Sequence, residues 1–263
     1  MGRRGSWVDQ ETQANQAAAH DGSPFSWVEG HLSSRMRSAR YARVELRGEE
    51  LPTSIGAGQF VLVRYGEDPC LPRAFSVMSA GGDRLELFVK SEGRVREKLS
   101  ACPIKTPFDV RGPYGVPYAS TISMDRSYVL VAGGSGIAPM LCFAEQHPYL
   151  AATGVYGFRT ADACDLLPDI PLVIEEVTGL RATERLRSVW KPGLGILACG
   201  PESMLRLLAQ EYRGEPDVYV SLEARVGCGI GTCLGCRVGT ASGPKRICRE
   251  GPLFALEELS WLT

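Results

Sequence analysis

The 263-residue sequence lacks several features that would assign it to a broad class at once. It has no run of about 18 apolar residues and no apolar core of a secretory signal, so we expect a cytoplasmic protein that does not enter a membrane. It also lacks a charge excess, because 29 Lys and Arg face 30 Asp and Glu, a formal net charge of −1. Nucleic acids and anionic membranes favour strongly basic surfaces, so neither is an expected partner.

Histidine is scarce and internal repeats are absent. The three histidines, His20, His31 and His147, are isolated in sequence, and no Ser/His/Asp arrangement is visible. Cysteine, in contrast, is frequent, with nine residues in the chain. Five of them are scattered among apolar neighbours, and we interpret these as reduced, buried or incidental thiols. They are Cys70, Cys102, Cys142, Cys164 and Cys199.

The hydrophobic periodicity divides the chain into four parts. Residues 1–28 are polar and rich in Ala and Gln, which indicates a flexible extension. Short strand-like runs separated by Gly, Pro and Asp over 29–122 predict an antiparallel β-barrel. Apolar strands alternate with helical runs over 123–222, which predicts a parallel-sheet α/β domain with helical crossovers. Residues 223–263 are rich in Gly and Cys, which indicates a small loop-rich module after the β and α/β domains.

The most specific pattern is the segment 228–248, CGIGTCLGCRVGTASGPKRIC. Its cysteines have the spacing C-x4-C-x2-C-x11-C, at Cys228, Cys233, Cys236 and Cys248. A zinc ribbon would usually have two similar C-x2-C pairs, and only one occurs here. Three closely spaced cysteines followed by a later fourth are typical of plant-type ferredoxins. We therefore predict a 2Fe-2S cluster, with zinc and disulfides as the alternatives.

Two kinds of motif precede this segment. The tetrad RAFS, Arg73 to Ser76, offers a guanidinium for a flavin pyrophosphate, an aromatic ring and a hydroxyl. Two turns between a strand and a helix could present backbone amides to a dinucleotide at one sheet edge. The first turn contains Gly133, Gly134 and Gly136, and the second contains Cys199, Gly200 and Pro201.

The order of these motifs resembles the ferredoxin-reductase superfamily from about residue 30 to the end of the chain. Within it, SLEARVGCGIGTCLGC followed by ICREGPLF resembles the electron-transfer subunits of type B dihydroorotate dehydrogenases. Related small subunits of transhydrogenases and sulfide dehydrogenases tend to have Asp at the position of Cys228. The four-cysteine set therefore favours the dihydroorotate dehydrogenase family.

This resemblance implies an oxidoreductase subunit with FAD on the barrel, a 2Fe-2S cluster, and NAD(H) as a diffusible cosubstrate. Electrons would pass between NAD+ and a separate FMN-containing subunit that oxidises dihydroorotate in pyrimidine biosynthesis, in a heterotetramer of two plus two. The chain alone would be inactive on dihydroorotate, and none of its residues is expected to be a catalytic acid or base. The implied cofactor-binding residues are Arg73, Ala74, Phe75, Ser76, Phe88, Val89, Lys90, Gly93, Val95, Arg96, Gly133, Gly134, Gly136, Cys199, Gly200, Pro201 and Glu223.

One departure from the family concerns the FAD phosphates. Family members usually have Gly-x-Gly-Thr where this chain has Gly93-Arg94-Val95-Arg96, so a hydroxyl is missing. Arg94 or Arg96 could compensate by charge, and we expect FAD to be retained with altered contacts. Two alternatives stay open: a reductase of the same superfamily with another redox partner, and a zinc-binding interaction module without redox function.

The choice between NAD and NADP is not decided by the sequence. Arg159 lies where a contact to the ribose 2′ position could form. The acidic pair Glu175 and Glu176 is interpreted as a solvated face.

Overall fold

The computed structural model describes residues 26–65 and 71–262, except for the Arg94 side chain. The predicted extension up to residue 25 and the Cys70 thiol lie outside the described residues. The rest forms a closed antiparallel barrel, a six-stranded sheet with helices and a two-stranded hairpin. The predicted order of β and then α/β domains is confirmed. The limits of the domains stay predictions.

Six strands close the barrel in the order β1-β2-β5-β4-β3-β6. Alternate apolar side chains such as Leu32, Val44 and Leu87 point inward and are fully buried, which is how short strands fill a small barrel. After β5, helix α1 (Arg94–Ala101) buries Val95 and Leu99 in this core. The strands are β1 (Val28–Arg37), β2 (Tyr41–Arg47), β3 (Phe60–Arg64), β4 (Arg73–Gly81), β5 (Arg84–Lys90) and β6 (Pro107–Tyr114).

The second sheet has the order β14-β11-β10-β7-β8-β9, in which β14 is antiparallel to β11 and all other pairs are parallel. Its central strands are almost wholly apolar, as expected where helices cover both faces of a sheet. The strands are β7 (Tyr128–Gly133), β8 (Ala151–Phe158), β9 (Leu172–Ile174), β10 (Gly195–Cys199), β11 (Val218–Ser221) and β14 (Leu253–Ala255). The helices are α2 (Ile137–Gln146), α3 (Glu175–Thr178), α4 (Ala182–Val189) and α5 (Glu202–Tyr212).

The cysteine segment is built into the rest of the molecule. Its hairpin consists of β12 (Arg237–Thr240) and β13 (Gly243–Arg246), and the chain then returns to the sheet edge as β14. Cys236 and Cys248 belong to one apolar cluster that also contains Phe60 of the barrel and Val220 of the sheet. One apolar cluster therefore joins the barrel wall, the sheet and the cysteine segment, and the interior of the barrel forms a separate cluster. None of the helices in the described residues combines the length and apolarity needed to cross a membrane.

Candidate functional site

The two predicted turns lie next to each other because their strands are neighbours. Ala132 of β7 pairs with Cys199 of β10 in the parallel ladder, so both turns leave the same sheet edge. A Cβ atom on Gly136 would lie 2.3 Å from the Cys199 carbonyl oxygen, and one on Gly200 would lie 3.0 Å from the Gly133 nitrogen. The absence of side chains at these glycines lets the two turns pack back to back and form one side of a crevice.

This crevice contains about 1900 Å³ of empty space that includes open solvent. It extends along the carboxyl edge of the sheet past the ends of β8 and β9, where Arg159 and Glu175 line it. The predicted site residues that line it are Lys90, Gly133, Gly134, Gly200, Pro201 and Glu223.

A second cavity, with about 700 Å³ of empty space that includes open solvent, lies between the barrel and the sheet, and we call it the flavin cavity after the cofactor that the sequence predicts there. Lys90, Ser135 and Glu223 line both cavities, so the crevice and the flavin cavity adjoin. The predicted site residues that line the flavin cavity are Ala74, Phe75, Ser76, Phe88, Val89, Lys90, Arg96, Cys199 and Glu223. Sequence reasoning missed Ser135, although it lies between two glycines that were selected, and it missed Ser221, for which the sequence has no signal.

Four predicted residues line neither cavity. Arg73 has an exposed side chain that donates a hydrogen bond to the Leu71 carbonyl over 3.3 Å. Val95 is buried in the barrel core, and Gly93 precedes α1 with φ of 88°. Gly136 packs against the second turn, as described above. Their roles in cofactor binding stay predictions.

The charged residues that line the flavin cavity are Lys90, Arg96 and Glu223. Solvent reaches Glu223 through the crevice, but the surrounding walls bury its carboxyl enough to raise its pKa, and Arg96 opposes this rise. The Arg96 guanidinium lies 5.9 Å from the centre of the Phe75 ring. Burial, with a contribution from Glu223, raises the pKa of the Cys199 thiol, so Cys199 stays neutral at physiological pH.

An aromatic group connects the barrel to the crevice, and sequence reasoning did not find it. Tyr41 of β2 stacks on Phe88 with ring centres 5.3 Å apart, and it meets the edge of Phe158 at 5.5 Å. A Cβ atom on Gly134 would lie 3.2 Å from the Tyr41 hydroxyl oxygen. Tyr41 therefore sets the spacing between the flavin cavity and the first turn.

The four cysteines of the C-terminal segment form two close pairs. The Sγ atoms of Cys236 and Cys248 are 3.3 Å apart, and the Cys233 side chain hydrogen-bonds Cys228. No set of three or more His, Cys, Asp or Glu side chains within the described residues is arranged to hold a metal ion. Sulfurs that share one tetrahedral metal lie about 3.7 Å apart for bonds of about 2.3 Å. Two pairs of this kind suit a two-metal group better than a single zinc ion.

The environment of these thiols differs between the pairs. Burial raises the pKa of Cys228, but hydrogen bonds from the Cys233 backbone and from the Thr232 and Cys233 side chains outweigh it and lower the pKa to about 6. Burial and the adjacent Cys236 thiol raise the pKa of Cys248 to about 12. Donors directed at Cys228 stabilise a thiolate, which is the form that binds iron.

The cysteine segment contacts the barrel at the end of β6. Arg111 donates a hydrogen bond to the Cys228 carbonyl over 2.9 Å, and the Gly115 nitrogen donates to the Cys248 carbonyl over 3.2 Å. Gly229, with φ of 77°, lies so close to the Tyr114 ring that a Cβ atom there would be 2.7 Å from it. Ile247, the neighbour of Cys248, lines the flavin cavity. One residue therefore separates a candidate metal ligand from that cavity.

The barrel followed by an α/β domain with this crevice defines the ferredoxin-reductase fold. A structure of the NADH-dependent reduced ferredoxin-NADP oxidoreductase superposes with a TM-score of 0.76 at 24% identity, covering 88% of this chain and 90% of that one. The ferredoxin reductase in carbazole 1,9a-dioxygenase superposes with a TM-score of 0.60 at 18% identity, covering 74% of this chain and 68% of that one.

Sequence relatives define the kind of protein more narrowly. Residues 223–260 match the family model of the iron-sulfur cluster binding domain of dihydroorotate dehydrogenase B. The electron transfer subunit of dihydroorotate dehydrogenase B (NAD(+)) from Clostridium acetobutylicum is 28% identical over 82% of this chain and 90% of its own length. The subunit of that name from Geobacillus thermodenitrificans is 29% identical over 87% and 96%. The chain is a homologue of these electron transfer subunits, and the predicted resemblance is confirmed.

Proposed function

We propose that the chain transfers electrons between NAD(H) and an FMN-containing dihydroorotate dehydrogenase subunit, through bound FAD and a 2Fe-2S cluster. The observation that carries this proposal is the spatial order of the sites. The crevice shares Lys90, Ser135 and Glu223 with the flavin cavity, and Ile247 connects that cavity to Cys248. If each cofactor binds at its own site, electrons have a short path from the dinucleotide through the flavin to the cluster.

The flavin cavity fits the ring of FAD. Phe75 and Phe88 supply apolar walls, Ser76 supplies a hydroxyl, and Lys90 supplies a positive charge at the edge shared with the crevice. When bound, FAD exchanges a hydride with nicotinamide and single electrons with an iron-sulfur cluster. Arg96 provides the positive charge that offsets the missing hydroxyl near the FAD phosphates.

The cysteine pairs supply the donors that a 2Fe-2S cluster requires. Cys228 and Cys233 would hold one iron, because their side chains are hydrogen-bonded. Cys236 and Cys248 would hold the other, because their sulfurs are 3.3 Å apart. Gly229 keeps the loop close to Tyr114, because a side chain at this position would overlap the Tyr114 ring. The arrangement of the four thiols as two pairs supports the iron-sulfur proposal over the zinc-binding module.

The remaining residues orient the nicotinamide and protect the reaction from water. Glu223 and the neutral Cys199 thiol lie where the crevice opens into the flavin cavity, and no charged base is required there. The Tyr41 stack keeps the first turn at a fixed distance from Phe88. These groups act by positioning the nicotinamide next to the flavin.

The proposed assembly is a heterotetramer of two such chains and two FMN subunits in the cytoplasm. This chain alone would oxidise or reduce NAD(H) but would not act on dihydroorotate. The names of the relatives support this proposal because they designate an electron transfer subunit, which requires a catalytic partner.

The test is coexpression with the FMN-binding subunit encoded in the same genome, followed by anaerobic addition of dihydroorotate. We expect the complex to elute as one species and the visible absorbance of this chain's cofactors to bleach. The isolated chain is the control and should stay oxidised. A complex that stays oxidised with dihydroorotate but bleaches with NADH would refute the substrate while retaining the reductase function.

A further inference from the structure

The carboxyl ends of β8 and β9 place two opposite charges side by side in the crevice. Phe158 pairs with Ile174 at the last position of the parallel ladder, so the next residues, Arg159 and Glu175, leave the sheet as neighbours. The Glu176 nitrogen donates a hydrogen bond to the Arg159 carbonyl over 3.1 Å, which fixes the two ends together. In dinucleotide-binding folds, a side chain at the end of the second strand recognises the ribose 2′ position, and here that strand is β8.

Glu175 is available to a ligand although it has a partner. Its Oε1 lies 3.4 Å from Arg181 Nε, with the two side chains 41% and 63% exposed. An ion pair this exposed is weak, so it does not prevent the carboxylate from accepting other hydrogen bonds. The Arg159 side chain is exposed and has no hydrogen bond or ion pair with another described residue.

The neighbouring carboxylate has a different role. Glu176 Oε1 accepts a hydrogen bond from the Ala161 nitrogen over 2.7 Å, and Glu176 does not line the crevice. Of the two acidic residues that the sequence placed on one solvated face, only Glu175 faces the ligand site. Glu176 is therefore a matched control for Glu175.

The apolar residues of the crevice indicate which end of a dinucleotide lies here. Leu180 and Leu207 are 45% and 39% exposed and line the crevice, as expected for side chains that contact a flat base. Neither lines the flavin cavity, whereas Lys90 and Glu223 do. A nicotinamide must reach the flavin, so the adenosine end lies beside Leu180, Arg159 and Glu175.

We propose that Glu175 makes the crevice select NAD(H) over NADP(H), an inference that rests on the proposed dinucleotide function. Its carboxylate accepts a hydrogen bond from the adenosine ribose 2′-hydroxyl and repels a 2′-phosphate. Arg159 and Arg181 line the crevice together with Glu175. The two guanidinium groups would bind a 2′-phosphate if the negative charge of Glu175 were removed.

Calorimetric binding of ADP-ribose and of ADP-ribose 2′-phosphate to the purified full chain tests this proposal. Wild type should favour the unphosphorylated ligand by at least about tenfold. In Glu175→Gln the preference should fall or reverse, by about tenfold or more in the affinity ratio. Glu176→Gln should leave the ratio unchanged, and adding Arg159→Gln to Glu175→Gln should weaken only the phosphorylated ligand.

Equal ratios for Glu175→Gln and Glu176→Gln would overturn the inference, as would a wild type that binds both ligands alike. These results would leave the proposed electron transfer intact, because NADH would still reduce the flavin of the same preparation. Binding of neither ligand, with no flavin reduction by NADH or NADPH, would instead refute the dinucleotide site and the selectivity with it.

Discussion

Gly136 is the position where the two turns of the crevice depend most directly on a missing side chain. Replacing it with alanine places a Cβ atom 2.3 Å from the Cys199 carbonyl oxygen and 2.6 Å from the Cys199 carbonyl carbon. Ordinary contact begins at about 3.4 Å, so the turns must separate by about 1 Å. Both contacted atoms belong to the backbone of Cys199 at the end of β10, and no side-chain rotation can relieve the overlap.

The cost should lie at the upper end of the range for overpacked cores, at about 3 kcal/mol. For a chain of this size such a loss lowers the melting temperature by about 6 to 12 °C. Dinucleotide affinity should fall as well, because Gly133 and Gly200, on the two sides of this contact, line the crevice.

Thermal unfolding followed by circular dichroism measures the first effect, and ADP-ribose calorimetry measures the second. Gly81→Ala is the matched control, because a Cβ atom there would meet nothing within 4 Å. It should change stability by no more than about 0.5 kcal/mol. If Gly136→Ala melted within about 1 °C of Gly81→Ala, the back-to-back packing of the turns would be refuted.

Three further predictions concern single side chains around the two cavities. Arg96→Ala should lower FAD occupancy severalfold relative to Lys98→Ala on the same helix, because the negative charge of the FAD phosphates is no longer offset. The fluorescence of flavin released from each variant measures the occupancy. Equal occupancies would contradict a contact between Arg96 and the phosphates. Glu223→Gln should raise the melting temperature at neutral pH but not in acid. The pKa of Glu223 is raised in the folded chain, so its carboxyl destabilises the fold only where it is ionised. An equal gain in melting temperature in acid would contradict this. Cys142, whose pKa is raised to about 12 by burial, should resist iodoacetamide until the chain is denatured, as peptide mapping would establish; labelling in the folded chain would count against its burial.

The sequence predicted the elements whose signals are local. Strands with alternating apolar residues, the glycine turns after β7 and β10, and the grouped cysteines all follow from neighbours in the chain. Helix α1 was missed because its two buried apolar side chains, Val95 and Leu99, lie in a polar stretch. Strand β1 was also missed, and its first residue, Val28, falls inside the predicted extension.

Features that depend on register could not be read from the sequence. Glu175 faces the crevice and Glu176 does not, a difference that arises from the pairing of β9 with β8. Tyr41 comes from a barrel strand about 90 residues before the first turn that it contacts, and nothing local marks it. The position of Ile247 beside the flavin cavity also depends on strand pairing, because the chain after it pairs with β11 as β14.

The central claim is that one chain holds FAD and a 2Fe-2S cluster in electronic contact with a dinucleotide site. The most direct measurement is an anaerobic NADH titration of the purified chain, followed by visible absorbance and electron paramagnetic resonance, with iron, sulfide and flavin assayed on the same sample. The account predicts about two irons, two sulfides and one FAD per chain, and a reduced-cluster signal that grows with NADH. A colourless chain with one zinc ion, or a cluster that NADH leaves oxidised while the flavin bleaches, would contradict it.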